Sequence, residues 1–209
     1  MPIRQDVSLK PYTTLRAGGK AEFFCECRTR AALAQVALDA QTKGLPCVTL
    51  GYGSNVLPSD DGVPGLVVLN RASTIEITKD GEVECDTGAS FQELFLKCAQ
   101  GSLGGLEFAV GIPGTVGGAL VSNAGAYRSN VSEFLTGLEI VENGKREWVT
   151  PDWMEFSYRN SKLRSDSPPE ALVTAVRMKL PRRKTKEIYD EAREYQRQRI
   201  SKQPPSASA

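Results

Sequence analysis

The chain has 209 residues, of which 40% are hydrophobic and 24% are charged, and its 26 basic and 25 acidic residues give a formal net charge of +1. This composition is ordinary for a globular protein with a buried core, and it gives no reason to expect a nucleic-acid partner. The absence of histidine excludes Ser-His and Cys-His nucleophilic machinery and most zinc sites, so no metal site is expected. Redox or proton chemistry must then use a cofactor, carboxylates, hydroxyls, Lys, Arg or Tyr.

The first seventy residues predict a small α/β unit. An extended segment with a turn is expected over residues 1–19. The predicted elements that follow are a strand at 21–26, a helix at 30–42 with Thr29 as its N-cap, and strands at 46–50 and 65–69. A glycine loop at residues 51–55 joins the last two strands.

The remainder predicts antiparallel hairpins and two further helices. The predicted elements are strands at 74–78 and 82–87, a helix at 91–100 capped by Ser90, strands at 138–142, 146–150 and 171–180, and a charged helix at 186–201. Residues 101–130 hold eight of the 19 glycines, a density that argues against a strand or an ordinary helix.

The cellular setting is predicted from what the sequence lacks. No apolar run approaches the ~20 residues of a membrane-spanning helix, and the N-terminus shows no basic region followed by an apolar one. An odd count of five cysteines without regular spacing argues against a disulfide-stapled secreted domain. Cys25 and Cys27 are interpreted as two half-buried thiols. We therefore expect a cytoplasmic chain without membrane insertion.

Three motifs suggest a binding site. Gly51-Tyr-Gly-Ser-Asn55 follows a strand, and its glycines and donors suit a pyrophosphate, although a plain turn explains it as well. Residues 111–127 hold glycines, a proline and small side chains, so a flat ring could lie against the main chain; a structural Ω-like loop is the alternative. Tyr158 and Arg159 suit an anionic substrate or an enolate-like charge, unless they form only an exposed loop.

Taken in order, these motifs resemble one enzyme family. Residues 13–19 are similar to its NTLR-x-GG segment, with Thr13 where Asn is usual, and residues 51–57 resemble its GxGSNLL loop. Residues 112–127 resemble its IPGTVGGA…GAYG segment, and residues 158–161 its YRxS motif. By this resemblance the chain is identified as a member of the UDP-N-acetylenolpyruvoylglucosamine reductases, within the vanillyl-alcohol-oxidase-like, PCMH-type FAD-binding fold.

The resemblance implies an α+β fold with FAD held between two subdomains, expected at residues 1–71 and 72–181, and a linker helix at 182–209. It implies that NADPH reduces the FAD and that the flavin then passes a hydride to a UDP-sugar substrate, UDP-N-acetylglucosamine enolpyruvate. The product would be UDP-N-acetylmuramate, a precursor of the peptidoglycan cell wall.

The resemblance also assigns residues. Arg159 would stabilise the enolate as the catalytic arginine and bind substrate together with Tyr158. The residues assigned to FAD are Gly51, Gly53, Ser54 and Asn55 at the pyrophosphate, and Ile112, Pro113, Gly114, Thr115, Val116, Gly117, Gly118, Val121, Ala126 and Tyr127 along the flavin, with Val173 as a further contact.

The family continues into a third domain that binds substrate and carries the serine or cysteine proton donor. The sequence reaches residues 206–209 where that domain's first segment is expected, and neither Ser206 nor Ser208 is assigned a role. We therefore expect the chain to lack the C-terminal substrate-binding domain, to keep its flavin and to lose most turnover.

Two other functions remain open: an FAD-binding module of a different oxidoreductase, and a non-catalytic remnant that binds no flavin. Arg159 favours the reductase, and the intact glycine loops argue against the remnant. Arg182, Arg183 and the helix after them are interpreted as a solvated, charged surface. The apolar side of that helix, Ile188, Ala192 and Tyr195, is expected to lack a partner and to permit self-association; the sequence does not fix an oligomeric state.

Overall fold

The computed structural model describes residues 2–202, which form an α+β fold around two main sheets. The strands are β1 Arg4–Ser8, β2 Lys20–Cys27, β3 Cys47–Leu50, β4 Val63–Asn70, β5 Ile75–Ile77, β6 Glu82–Asp86, β7 Gly125–Ala126, β8 Ser129–Asn130, β9 Leu135–Glu142, β10 Lys145–Val149 and β11 Ala171–Lys179. The helices are α1 Arg30–Thr42, α2 Phe91–Gln100, α3 Val116–Val121 and α4 Thr185–Lys202.

The first sheet has the order β1-β2-β4-β3, with β4 parallel to β2 and β3, and β1 antiparallel to β2. Strand β4 is almost continuously apolar because both of its faces are covered. Leu66 and Val68 lie in the cluster beneath α1, while Val67 and Leu69 lie in a second cluster on the opposite face.

Helix α1 lies between the two sheets. Its N-cap Thr29 accepts a hydrogen bond from the Ala32 N–H at 3.2 Å. Leu33 and the small residue Ala37 pack in one cluster with Leu66 of the first sheet and Leu172 of the second. Both faces of the helix therefore contact a sheet, which joins the two halves of the molecule.

The second sheet is antiparallel throughout, with the order β10-β9-β11-β6-β5. The β9–β10 hairpin turns at Asn143 and Gly144, whose φ values of 52° and 71° are those of a two-residue hairpin turn. The pairing of β11 with β9 shifts between Val173 and Ala175, beside the site described below. The main core packs under this sheet against α2 and α4.

Two predictions were wrong in their detail. The extended N-terminal segment forms strand β1, because its backbone pairs with β2. The glycine segment contains the short helix α3, because Thr115 caps it and Gly117 packs closely against Thr87. Residues 203–209, including the predicted lead-in to another domain, lie outside the described residues.

The outer face of α4 is charged and exposed, as predicted, but the expectation that its apolar side lacks a partner was wrong. Ile188 and Ala192 are buried in the main core, and the apolar side of α4 is covered within the same chain. Arg183 forms ion pairs at 2.8 Å with both the buried Glu107 and Glu191. None of the helices in residues 2–202 is long and apolar enough to cross a membrane.

Candidate functional site

The loop after β3 is held in place by the segment before β2. Gly53 has a φ of 65°, and a Cβ atom there would overlap the Tyr12 carbonyl oxygen. Its own carbonyl accepts a hydrogen bond from the Thr14 N–H at 3.0 Å. Only glycine fits this left-handed, crowded position, so the two segments named by the sequence motifs are parts of one structure.

Two glycine segments that are 60 residues apart in sequence meet here. The Ser54 hydroxyl donates a hydrogen bond to the Pro113 carbonyl at 3.2 Å. A Cβ atom on Gly51 would lie 2.5 Å from Thr115 Oγ1, and one on Gly114, whose φ is 127°, would lie 3.1 Å from Ser54 Oγ. The absence of side chains on these glycines allows the two backbones to approach.

The backbone N–H groups at this junction are available to a ligand. Within residues 2–202, the N–H groups of residues 52–55 and of Gly114 and Thr115 donate no hydrogen bond. The Asn55 side chain is exposed and makes no hydrogen bond to a described residue. Successive free N–H groups in a tight glycine loop form a concave surface that favours an anion.

Helix α3 continues from this junction with an open face. Thr115 caps it by accepting a hydrogen bond from the Gly118 N–H at 3.3 Å. A Cβ atom on Gly118 would meet only Thr115 Oγ1, at 3.7 Å, so the polypeptide leaves the space outside this residue open. Gly117 faces inward, with its N–H donating to the Thr87 carbonyl at 2.8 Å. A flat ring could therefore approach the backbone of the first turn.

Tyr158 and Arg159 form the tip of a tight turn beside the far end of α3. Ser157 and Asn160 exchange backbone hydrogen bonds of 3.1 and 3.2 Å across the turn. The turn is anchored to the glycine segment, because the Ser161 hydroxyl donates to the Val121 carbonyl at 2.8 Å and the Asn123 amide donates to the Ser157 carbonyl at 3.0 Å.

The two side chains at this tip project away from the chain. Arg159 has a φ of 56° and Tyr158 is 92% exposed. The Arg159 guanidinium forms no hydrogen bond or ion pair with another of the described residues. Its charge is therefore available to a bound anion.

Tyr127, at the end of the glycine segment, is held by α4. Its hydroxyl donates to the Tyr195 carbonyl at 2.7 Å, and the two rings stack with centroids 3.9 Å apart. The Arg199 guanidinium lies 5.7 Å from the Tyr127 ring centroid. Burial, and the hydrogen bond that its hydroxyl donates to Glu191, raise the pKa of Tyr195 to about 12. The structure thus places the Tyr127 ring against α4 rather than against the loop at Gly51.

The other residues that the sequence analysis assigned to the flavin are buried or half-buried, in the glycine segment or close to it. Ile112 is half-buried against the main core, and Val116, the first residue of α3, is fully buried in that core. Ala126 is half-buried in the two-residue strand β7. Val173 is 8% exposed, and its carbonyl accepts a hydrogen bond from the Thr87 hydroxyl at 2.9 Å.

The sequence analysis missed the residues that support these segments. Asn70 and Thr87 are buried polar residues that hydrogen-bond to each other at 3.0 Å, directly beneath the glycine segment. Their only signal in the sequence is that each is a polar residue at the end of a strand, next to a turn. Within residues 2–202 there is also no cluster of three or more Cys, Asp or Glu side chains that could hold a metal ion.

Several known proteins are similar to this chain. A model of the FAD binding domain family matches residues 21–150. UDP-N-acetylenolpyruvoylglucosamine reductase of Synechococcus sp. is 35% identical over 97% of this chain and 65% of its own length. The enzyme of the same name from Thermotoga maritima is 32% identical over 96% of this chain and 70% of its own length. The chain thus spans about two thirds of the length of these relatives.

Solved structures are similar as well. UDP-N-acetylenolpyruvylglucosamine reductase from Thermus caldophilus superimposes with a TM-score of 0.81 at 32% identity, covering 100% of this chain and 73% of that chain. Alkyldihydroxyacetonephosphate synthase gives a TM-score of 0.58 at 12% identity over 78% of this chain, which shows a shared fold alone.

Proposed function

This chain belongs to the UDP-N-acetylenolpyruvoylglucosamine reductase family and contains its FAD binding domain, and from that premise we propose that it binds FAD across its two glycine segments. We further propose that it serves the reduction of UDP-N-acetylglucosamine enolpyruvate to UDP-N-acetylmuramate, with NADPH as the reductant. The proposed setting is the cytoplasm of a peptidoglycan-making cell, where this UDP-sugar would be consumed in cell-wall synthesis.

One observation supports FAD binding above the others: both glycine segments carry backbone N–H groups without a hydrogen bond to a described residue next to the Ser54–Pro113 contact. Residues 51–57 contain no acidic side chain that would repel a pyrophosphate. The residues present therefore fit the cofactor, with Gly53, Ser54 and Asn55 at the pyrophosphate and Gly114 to Gly118 beside the ring. When bound, the flavin supplies the hydride-transfer chemistry that no side chain of this protein can perform.

Arg159 is the proposed charge stabiliser. Its guanidinium, unpaired among the described residues, matches a carboxylate in a bidentate geometry and favours negative charge that develops next to it. Ser161 and Asn123 hold its turn against α3, so the backbone that carries Arg159 is anchored next to the glycine segment. Tyr158 at the same tip offers a hydroxyl to the same substrate.

Gly118→Leu tests the cofactor site. The new side chain enters space that the polypeptide leaves open, so the protein should fold normally while the ring is excluded. We expect the purified wild type to show flavin absorption bands and to release FAD on heating, and the variant to be colourless and to bind added FAD at least tenfold more weakly, a change of about 1.4 kcal/mol.

Gln100→Leu is the matched control, since it places a leucine on the exposed end of α2 and should leave the affinity for FAD unchanged. A wild-type chain that takes up no FAD would overturn the proposal. A Gly118→Leu variant with wild-type affinity would place the flavin elsewhere. Anaerobic addition of NADPH and then of the UDP-sugar separates turnover from binding, because only a chain that completes the site reoxidises its flavin with substrate.

A further inference from the structure

We propose that Asn70 and Thr87 form a positioning unit that transmits the arrangement of the two sheets to the FAD site. This inference rests on the proposed function. Asn70 acts through the Thr87 hydroxyl, and Thr87 acts through its carbonyl, which accepts the Gly117 N–H next to the open face at Gly118. We call the pair the Asn70–Thr87 bridge.

The bridge crosses between the two main sheets. Asn70 is the last residue of β4 in the first sheet, and Thr87 directly follows β6 in the second. Both residues are 2% exposed. The Asn70 Oδ1 atom accepts from the Ala72 N–H at 3.0 Å, which turns its Nδ2 group towards the Thr87 hydroxyl at 3.0 Å.

The orientation of Asn70 fixes the proton of the Thr87 hydroxyl. Because this hydroxyl accepts from Asn70, its own proton is free to donate to the Val173 carbonyl at 2.9 Å, with the Thr174 carbonyl at 3.2 Å as a second acceptor. Val173 lies where β11 shifts its pairing with β9, so this bond holds the strand at an irregular point. The hydroxyl has a donor and an acceptor partner, and removing it leaves two buried polar groups unpaired.

The backbone of Thr87 connects the bridge to the glycine segment. Its carbonyl accepts the Gly117 N–H at 2.8 Å, and a Cβ atom on Gly117 would lie 3.1 Å from that carbonyl oxygen. On the other side, a Cβ atom on Gly88 would lie 2.6 Å from Asn70 Oδ1. Glycines thus allow close contact on both sides, and a small movement of Thr87 shifts the first turn of α3.

An ion pair of the residue before Thr87 adds a second contact between the two halves next to the bridge. Asp86, immediately before Thr87, is 2% exposed and pairs with Arg30 Nε of α1 at 2.7 Å. Residues 86 and 87 are therefore both held from the first half of the molecule. A cofactor that spans both glycine segments, one from each half, depends on this spacing.

The experiment compares three variants by their dissociation constants for FAD and by the visible circular dichroism of bound flavin. Thr87→Val removes the hydroxyl and should weaken FAD binding about tenfold, the effect of losing one buried hydrogen bond, and alter the dichroism. Thr87→Ser keeps the hydroxyl and should restore both. Thr174→Val is the matched control, because its buried hydroxyl bonds to Glu139 and only its carbonyl, which the substitution keeps, accepts from Thr87.

Urea unfolding of the flavin-free proteins gives the stability change of each variant. We expect Thr87→Val and Thr174→Val to lose similar stability and only Thr87→Val to lose affinity. Equal affinities in these two variants, whether both lowered or both unchanged, would overturn the inference and leave a purely structural role. If Thr87→Val does not fold, Asn70→Ala provides the same comparison. A wild-type chain without FAD refutes the proposed function itself, and the inference with it.

Discussion

At the scale of single residues, the proposed role of Arg159 depends on the availability of its charge. Most arginine side chains of the second half form ion pairs or other contacts. Arg177 pairs with Glu84 and lies 3.8 Å from the Trp148 ring centroid, and Arg183 pairs with two glutamates. Arg159 sits at a left-handed tip with no such partner among residues 2–202. A free guanidinium on an anchored turn is what a substrate anion requires.

We therefore expect Arg159→Gln to slow the reoxidation of reduced flavin by the UDP-sugar about 100-fold or more, as when one donor to a developing anion is removed. The FAD affinity should stay at the wild-type value, because the Arg159 side chain makes no hydrogen bond to either glycine segment. Arg193→Gln, which removes an exposed arginine of α4, is the control. Equal rates for Arg159→Gln and the control would assign Arg159 to an ordinary surface loop.

At the scale of elements, α1 is fastened to β6 by an ion-pair cluster. Arg30 lies 2.5 Å from Glu84 and 2.7 Å from Asp86, and Arg177 lies 2.9 Å from Glu84. Desolvation raises the pKa of Glu84, but hydrogen bonds and charge from Arg30 and Arg177 outweigh it, so its pKa lies below the ordinary value. The carboxylate therefore stabilises the fold in its charged form.

This ion-pair cluster should make the free energy of unfolding depend on pH. Because the pKa of Glu84 is lower in the folded state, its contribution is complete above the ordinary value of 4.5 and is lost as the pH falls through the folded pKa. Glu84→Gln should reduce the free energy of unfolding by roughly 1–2 kcal/mol at pH 7. The difference from wild type should vanish in strongly acidic solution. Glu93→Gln, at an exposed pair on α2, should show little change at either pH. A Glu84→Gln deficit that is the same at pH 7 and pH 3 would contradict this account.

The elements also show how far the sequence alone could predict this fold. Local signals sufficed for α1, which has a capping Thr29 and a face of small apolar residues, and for the hairpin at Asn143-Gly144, which has a characteristic turn pair. They failed for α3, because its glycines have poor helix propensity and become helical only through tertiary contacts such as Gly117 N–H to Thr87. They also failed for the burial of α4, since nothing in the spacing of Ile188 and Ala192 shows that α2 lies against them.

The candidate site, like the fold, could be predicted only in part from the sequence. Motif resemblance named the glycines and Arg159, because these residues carry the chemistry or the unusual backbone. It did not name Asn70, whose importance depends on the crossing of two sheets that are separate in sequence. It also gave no warning that the Tyr127 ring would stack on Tyr195, a partner 68 residues away. Long-range polar contacts of this kind leave no periodic signal.

At the scale of the whole molecule, α1 decides whether the two halves behave as one unit. Leu33 is fully buried, and its cluster takes residues from β2 and β4 on one side and Val141 and Leu172 on the other. The ion pairs of Arg30 and the Asn70–Thr87 bridge cross the same boundary. A loss of packing here therefore weakens both halves together, so residues 2–202 should unfold as one cooperative unit although they contain two separate sheets.

Leu33→Ala tests this coupling. Removing a buried leucine side chain should lower the free energy of unfolding by about 2–5 kcal/mol, and the protein should still unfold in a single transition. Tryptophan fluorescence, from Trp148 and Trp153 in the second half, and far-ultraviolet circular dichroism, from both halves, should shift to the same lower urea concentration. Leu96→Ala, at a partly exposed position on α2, is the control and should cost much less. If fluorescence kept its wild-type midpoint while circular dichroism moved, the halves would be independent, and the spacing of the two glycine segments could not depend on contacts across α1.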